Sequence, residues 1–379
     1  MNPNQDAAIG QLDRFRRNAL IIGIVASAAS VIGAFVAPQQ FFFSYLVGYL
    51  LWTGVALGSI SLLMIHHMTG GNWGFVARPL FECGSKMLVL MAVLILPVLL
   101  GIPYLYIWSN PEHVVGHHLL EHKARYLNVT FFLIRTAIYF LIWLVLVYLL
   151  NRRAAGVPVR MKNVAGPGLV IHGLVITFAM IDWAMSLEPE WYSTIFGMIF
   201  MVGQLLSAIA FMIIILAIVW DRITLAGIVL PDHYHDLGNL MLTFVMLWAY
   251  TSFSQYLIIW SGNLPEETPW YIHRMSGGWQ WLALALVLFH FSLPFLLLLT
   301  RYVKRRARML AALAGAMIFM RLVDLVWVVS PALHTERLFV HWLDIIVPVG
   351  MGGLWVAIFM WQLKRRTLEP APVPAARVH

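Results

Sequence analysis

The chain has 379 residues, of which 61% are hydrophobic and only 11% are Asp, Glu, Lys or Arg. Soluble domains carry roughly 25% charged residues, so the composition excludes a soluble enzyme or binding module and implies a polytopic membrane protein. The formal net charge of +8 would fit a nucleic-acid partner, but the placement of the basic residues gives it a topological cause. The single cysteine, Cys83, leaves no internal disulfide, no Cys-ligated iron–sulfur cluster and no CxxCH haem attachment, hence no thiol-based redox centre.

In chain order, residues 1–18 form a polar N-terminal segment in which Arg14, Arg16 and Arg17 precede the first apolar run, 19–37. That run exceeds the roughly 7–15-residue core of a secretory signal, so a retained helix is expected. Nine further apolar runs follow, at about 41–65, 87–108, 127–150, 168–187, 192–220, 238–260, 279–300, 307–329 and 340–363. Each reaches the ~17–25 residues that span a bilayer, so ten transmembrane helices are expected over 19–363. The run at 192–220 predicts tilt or projection, and Pro97, Pro103, Pro294 and Pro348 predict kinks. The loops at 66–86 and 109–126 are too short to bury a core. The Pro/Ala-rich tail, 364–379, is expected to be disordered or laid against a partner.

With the N-terminus placed in the cytoplasm, nineteen of the 25 Lys and Arg fall on inside segments and four outside. Arg135 and Arg321 remain within helices. This positive-inside bias puts both termini in the cytoplasm.

The fifth and sixth runs form a hairpin, Leu169 to Leu206. Glu188, Pro189 and Glu190 make the turn, and Trp191 and Tyr192 are expected to open the following helix. Asp182 lies seven residues before Pro189, roughly 10 Å into the membrane at ~1.5 Å per residue. A carboxylate at that depth is either functional or a tie between helices. The other ionisable residues at membrane depth are Arg135, His172, His290, Arg321, Asp324, His341 and Asp344. Arg321/Asp324 and His341/Asp344 are each spaced i, i+3 and share a helix face. The bland reading of such pairs is self-neutralisation, and the functional one is a proton or quinol site. His172 and His290 are the deepest residues of a possible inner proton route, and a weak candidate pair for haem ligation. His113, His117, His118 and His122 recur at helical spacing in an outer loop, where an interfacial amphipathic helix is favoured over a metal site. His66/His67 and His233/His235 sit at inner helix ends. The glycines of helices 2 and 10 suit close helix packing.

An internal repeat organises the chain. Asp182 is followed by Trp183 and, seven residues on, Pro189; Asp324 is followed by Trp327 and, seven residues on, Pro331. Helices 5 and 9 run in the same direction, which makes helices 2–5 and 6–9 a parallel repeat. Ala179 stands where Arg321 stands in the second copy. Unless Arg135 or His341 reaches across, Asp182 is therefore the carboxylate expected to titrate, and Arg321–Asp324 the fixed structural pair.

Seven strings, HHMTGGNWG (66–74), ARYLNVTFFLIR (124–135), AMIDWAMSLEPEWYSTIFG (179–197), HDLGNLMLTFVMLWAYTSFSQYLIIW (235–260), NLPEETPWY (263–271), RLVDLVWVVSP (321–331) and HWLDI (341–345), occur in order. Together they resemble the NrfD/polysulphide-reductase-like membrane subunits, most closely the smaller of the two such subunits of bacterial alternative complex III. The resemblance runs from helix 2 to helix 10. It implies two four-helix bundles (2–5 and 6–9) with two flanking helices, in a bacterial inner-membrane quinol:cytochrome c, or quinol:acceptor, oxidoreductase complex. It also implies a larger, paralogous membrane subunit, and periplasmic subunits carrying haem c and iron–sulfur clusters. In that family the larger paralogue is the better-established quinol binder, while the smaller one is assigned a supporting or proton-conducting role. Quinone binding by this chain is left open. A secondary transporter and a structural anchor are the alternatives.

Overall fold

The computed structural model describes residues 3–152, 161–217 and 229–367. The protein is an all-α polytopic membrane protein, and ten helices among the described residues are long and apolar enough to cross a membrane. They are α1 (Gly10–Val36), α2 (Pro38–Thr69), α3 (Asn72–Leu100), α4 (Val129–Asn151), α5 (Lys162–Leu187), α6 (Phe196–Ile215), α7 (Pro231–Gly262), α8 (Trp279–Leu299), α9 (Ala307–Ala332) and α10 (Leu343–Arg365).

Local chemistry sets the boundaries. Pro38 and Pro231 occupy first-turn positions, where the missing N–H costs nothing. Asn128 caps α4 by accepting from the Phe131 amide at 2.9 Å, the usual N-cap bond. The prolines act unequally. Around Pro97, α3 breaks into short segments, whereas α10 runs through Pro348. In α8, Leu286–Ser292 is a π-helical segment that ends two residues before Pro294. A proline that cannot complete the i→i−4 ladder is one cause of such a bulge.

Several expected boundaries are corrected. The loop expected at 66–86 is mostly helix, since α3 begins at Asn72 rather than near 87. Its first turns are amphipathic: Arg78 holds Glu82 one turn on at 2.8 Å, and Val76, Leu80 and Phe81 are buried. An apolar-run criterion overlooks such a segment. Trp191 and Tyr192 precede α6 instead of opening it. α7 begins at Pro231, seven residues early, and helix continues before residue 19 back to Pro3. The far part of the long run at 192–220, and the tail from residue 368, lie outside the described residues.

α2 and α6 are the central helices and pack directly on each other. A Cβ at Gly58 would fall 2.1 Å from the backbone oxygen of Gln204, so only glycine permits this approach. α2 also packs on α3 and α5, and α6 on α7 and α9. α1 and α10 pair at the flank, with a Cβ at Gly353 falling 2.5 Å from the Gly23 Cα. Trp52 of α2 joins this pair to the bundles, meeting Trp355 at 5.4 Å and Phe211 at 6.2 Å between ring centroids. α5 and α9 each end in a single 3₁₀ turn soon after their aspartate, Met185–Leu187 and Ser330–Ala332.

Candidate functional site

The two repeated aspartates have opposite surroundings. Asp182 is fully buried. Arg135 of α4 meets it bidentately, Nε to Oδ2 and Nη2 to Oδ1, both at 2.8 Å. The Tyr139 hydroxyl donates to Oδ2 at 2.6 Å. Arg135 also donates Nη1 to the Tyr126 carbonyl at 2.9 Å, and its guanidinium lies over the Tyr126 and Phe131 rings at 3.8 and 4.2 Å. Around this core, Trp183 donates to Thr136 and Tyr106 donates to the Trp183 carbonyl. Every oxygen of the carboxylate is engaged, as a buried ion requires. The expectation that Asp182 is the free, titrating carboxylate is therefore corrected. Its partner comes from another helix, 47 residues earlier, where spacing along α5 gives no sign of it.

Asp324 is held less completely. Arg321, one turn before it on α9, donates Nη1 to Oδ2. The indole N–H of Trp248 faces the same carboxyl. The Arg321 guanidinium lies on Gly203 of α6, where a Cβ would fall 2.4 Å from Cζ, and 5.2 Å from the Phe200 ring centroid. Arg321 and Asp324 form part of the wall of a cleft of about 770 Å³ between α6, α7, α8 and α9. The rest of the wall is mainly aromatic and aliphatic, including Phe200, Trp248, Trp270 and Trp327. Its rim residues Tyr250, Phe253, Leu284 and Val287 lie on the exposed sides of α7 and α8.

His290, in the π-helical segment, is fully buried and stacks on Trp248 with ring centroids 4.1 Å apart and planes 7° from parallel. Neither of its ring nitrogens reaches a hydrogen-bond partner. His172 lies in the other bundle, where Ser61 meets its Nε2 at 2.7 Å and Trp143 packs edge-on. The two histidines are not brought together, which removes them as a facing pair of haem ligands.

His341 and Asp344 join neither carboxylate. Asp344 Oδ1 accepts from Ser44 at 2.5 Å and Gln40 at 3.0 Å, and Oδ2 accepts from the His341 amide at 2.8 Å. His341 Nδ1 accepts from the Leu343 amide. These contacts cap the start of α10. His334 extends the set by donating to Gln40 Oε1 at 2.8 Å.

The outer-loop histidines do not share one amphipathic helix: His113 lies on the short helix Pro111–Val114, His118 and His122 on His118–Lys123, and His117 precedes the second in extended backbone. Among the described residues, no three His, Cys, Asp or Glu side chains converge as metal ligands would. His66 packs on Trp73, and His233 accepts from the Leu230 amide at the start of α7.

In the sequence Arg274 counts only as one of the four outside basic residues. It lies on the short helix Thr268–Arg274 and is 1% exposed. Its guanidinium donates to Glu188 at 2.5 Å, to the carbonyls of Val328, Trp327 and Trp270 at 2.6, 3.2 and 3.0 Å, and stacks 3.7 Å from the Trp270 ring centroid. Burial pushes its pKa down, and Glu188 opposes that shift. Trp191 from the α5–α6 turn stacks on Trp270 at 4.6 Å. Arg274 thus clamps the turn of the first bundle to the roof of the cleft in the second. Beside it Tyr271, pushed up to about 12 by burial, accepts from Gln255, which in turn accepts from Ser193. In the sequence Arg274 lies three residues beyond the NLPEETPWY segment, 263–271.

No protein-family model matches the chain, and no curated protein resembles it at a significant level.

Proposed function

We propose that this chain is a membrane subunit, without a redox centre of its own, of a quinol:acceptor oxidoreductase complex in a bacterial inner membrane with both termini in the cytoplasm. The observation that carries the reading is the cleft of about 770 Å³, with an exposed apolar rim, that is lined by a buried Arg321–Asp324 pair. An apolar channel with few convergent polar groups suits a substrate that arrives through the bilayer, and buried ionisable residues at membrane depth are functional by default. In this reading the partners are a second membrane subunit of the same kind and periplasmic subunits that carry haem c and iron–sulfur clusters. The proton-handling role moves from Asp182 to the cleft.

The experiment is purification under mild detergent, with haem and iron measured in the isolate and quinol oxidation assayed. Co-purification of haem-bearing chains and quinol turnover supports the reading. A haem-free single chain that moves a solute across vesicles would replace it with the transporter.

A further inference from the structure

We propose that the turn between α8 and α9, braced on the start of α7, binds the headgroup of an anionic phospholipid, whose acyl chains lie along the exposed sides of α8 and α9. The inference is independent of the reading of the cleft and of the chain's place in a complex.

The charge of this turn exceeds what the protein itself neutralises. Residues 300–309, TRYVKRRARM, hold Arg301, Lys304, Arg305, Arg306 and Arg308 and no acidic side chain. Two of these are anchored on α7. Lys304 is buried and donates to Asn239 Oδ1 at 2.6 Å, and its stem fills the space beside Gly238, where a Cβ would fall 2.7 Å from the lysine Cγ. Arg305 meets Asp232 at 2.5 Å. Asp236, the next acid on α7, lies 3.9 Å from His235. Arg301, Arg306 and Arg308 are exposed and meet no carboxylate among the described residues. Arg306 stacks 3.8 Å from the Tyr302 ring centroid and donates to its hydroxyl. An orientation signal needs only the number of basic residues on one side. It does not call for three arginines kept clear of acids on a braced turn.

Like charges gathered on one turn repel each other, and an anion among them removes that cost. The helix adds to the same field. α9 starts with no side-chain cap and no acid in its first turn, so its first amides are open to an anion. Guanidinium groups meet phosphate oxygens through paired N–H donors, which makes a phosphate the fitting anion. The surroundings of the turn specify the rest of the occupant. Leu296 and Leu299 of α8 and Met309 and Phe319 of α9 are exposed below the arginines, and Gly315 between them has open space around it. A phosphate joined to acyl chains covers both parts. A free phosphate or an acidic polymer would satisfy the arginines and leave the apolar sides bare. Basic groups between transmembrane helices at one membrane face suit anionic headgroups for this reason.

The test uses the protein as isolated from membranes, stripped of lipid by detergent exchange and reconstituted in phosphatidylcholine nanodiscs. The probes are phosphatidylglycerol and phosphatidylcholine carrying the same photoreactive acyl chain, with peptide mapping, and inorganic phosphate as competitor. The triple variant Arg301→Gln/Arg306→Gln/Arg308→Gln removes the three charges that meet no acid and spares Lys304 and Arg305, which brace the turn. A second triple variant, Arg301→Lys/Arg306→Lys/Arg308→Lys, keeps the charge and with it the orientation signal. Phosphatidylglycerol should label 293–320 roughly tenfold better than phosphatidylcholine, and rising salt should erode that preference. Inorganic phosphate should not displace it. The glutamine variant should lose the preference, and the lysine variant should keep most of it. If the glutamine variant fails to assemble, the preference of the parent, its salt dependence and the position of the label decide. Equal labelling by the two lipids, label only outside 293–320, or an unchanged preference in the glutamine variant overturns the proposal. Displacement by phosphate alone overturns the lipid as the occupant.

Discussion

Asp182 shows how a partner on another helix changes the meaning of a buried charge. Its carboxylate is closed by Arg135 and Tyr139, so its role is to tie α4 to α5. Arg135→Gln leaves that carboxylate buried and unpaired, and the expected cost is about 3–5 kcal/mol. Tyr139→Phe, which removes one bond to a charged group, costs about 1.5–3 kcal/mol. Replacing both ions, Arg135→Met with Asp182→Leu, should restore much of the melting temperature. Melting of the detergent-solubilised protein checks all three. An Asp182→Asn variant that melts like the parent yet halts turnover would return this residue to the proton path.

A second residue-scale prediction concerns acid. His334 sits between α9 and α10 and donates to Gln40. Burial pushes its pKa below the ordinary 6.5, and Arg337 and His341 act in the same direction while Asp344 opposes them. The unfolded chain therefore binds the proton more readily than the folded one. Stability from this group is complete above the unfolded value and is lost as the pH falls below it towards the depressed folded value. The melting temperature should fall as the pH drops below about 6.5, and His334→Gln should flatten that part of the profile.

At the scale of elements, the seam between α2 and α6 joins the two bundles. Ten helices were legible as apolar runs because hydrocarbon demands that length and leaves no other way to satisfy backbone groups. The seam was legible only as a glycine stripe. Gly58 faces backbone, the Gln204 carbonyl at 2.1 Å from an added Cβ, and backbone cannot rotate away as a side chain can. Gly58→Ala should therefore destabilise by about 1–3 kcal/mol, the range for overpacking, and Gly10→Ala, with open space around it, should not. Parallel thermal melts of the two variants decide this. Element starts were read poorly where helices project as amphipathic turns: α3 and α7 carry Arg78, Glu82, Asp232 and His235 in their first turns, so a hydropathy criterion trims them.

The whole molecule has two bundles, one saturated and one with an open cleft, with the α1–α10 pair at the flank. The orientation we propose rests on nineteen basic residues on one side and four on the other. A periplasm-active reporter fused after Arg377 should stay silent and a cytoplasm-active one should read. The reverse result would turn the molecule over and place the α5–α6 turn, with the roof of the cleft, inside.

Composition and apolar run length determined class, helix number and charge bias, because insertion into hydrocarbon is a property of segments and needs no knowledge of neighbours. The repeat was equally visible, since Asp182 and Asp324 stand at the same distance from a proline in each half. Tertiary structure alone decided which aspartate is closed and which is open. That outcome depends on cross-helix reach: Arg135 arrives from α4, Tyr139 beside it, while Gly203 and Phe200 of α6 hold Arg321 at the wall of a cleft. A buried charge is defined by the groups that surround it in space, and in a helical membrane protein most of those come from other helices.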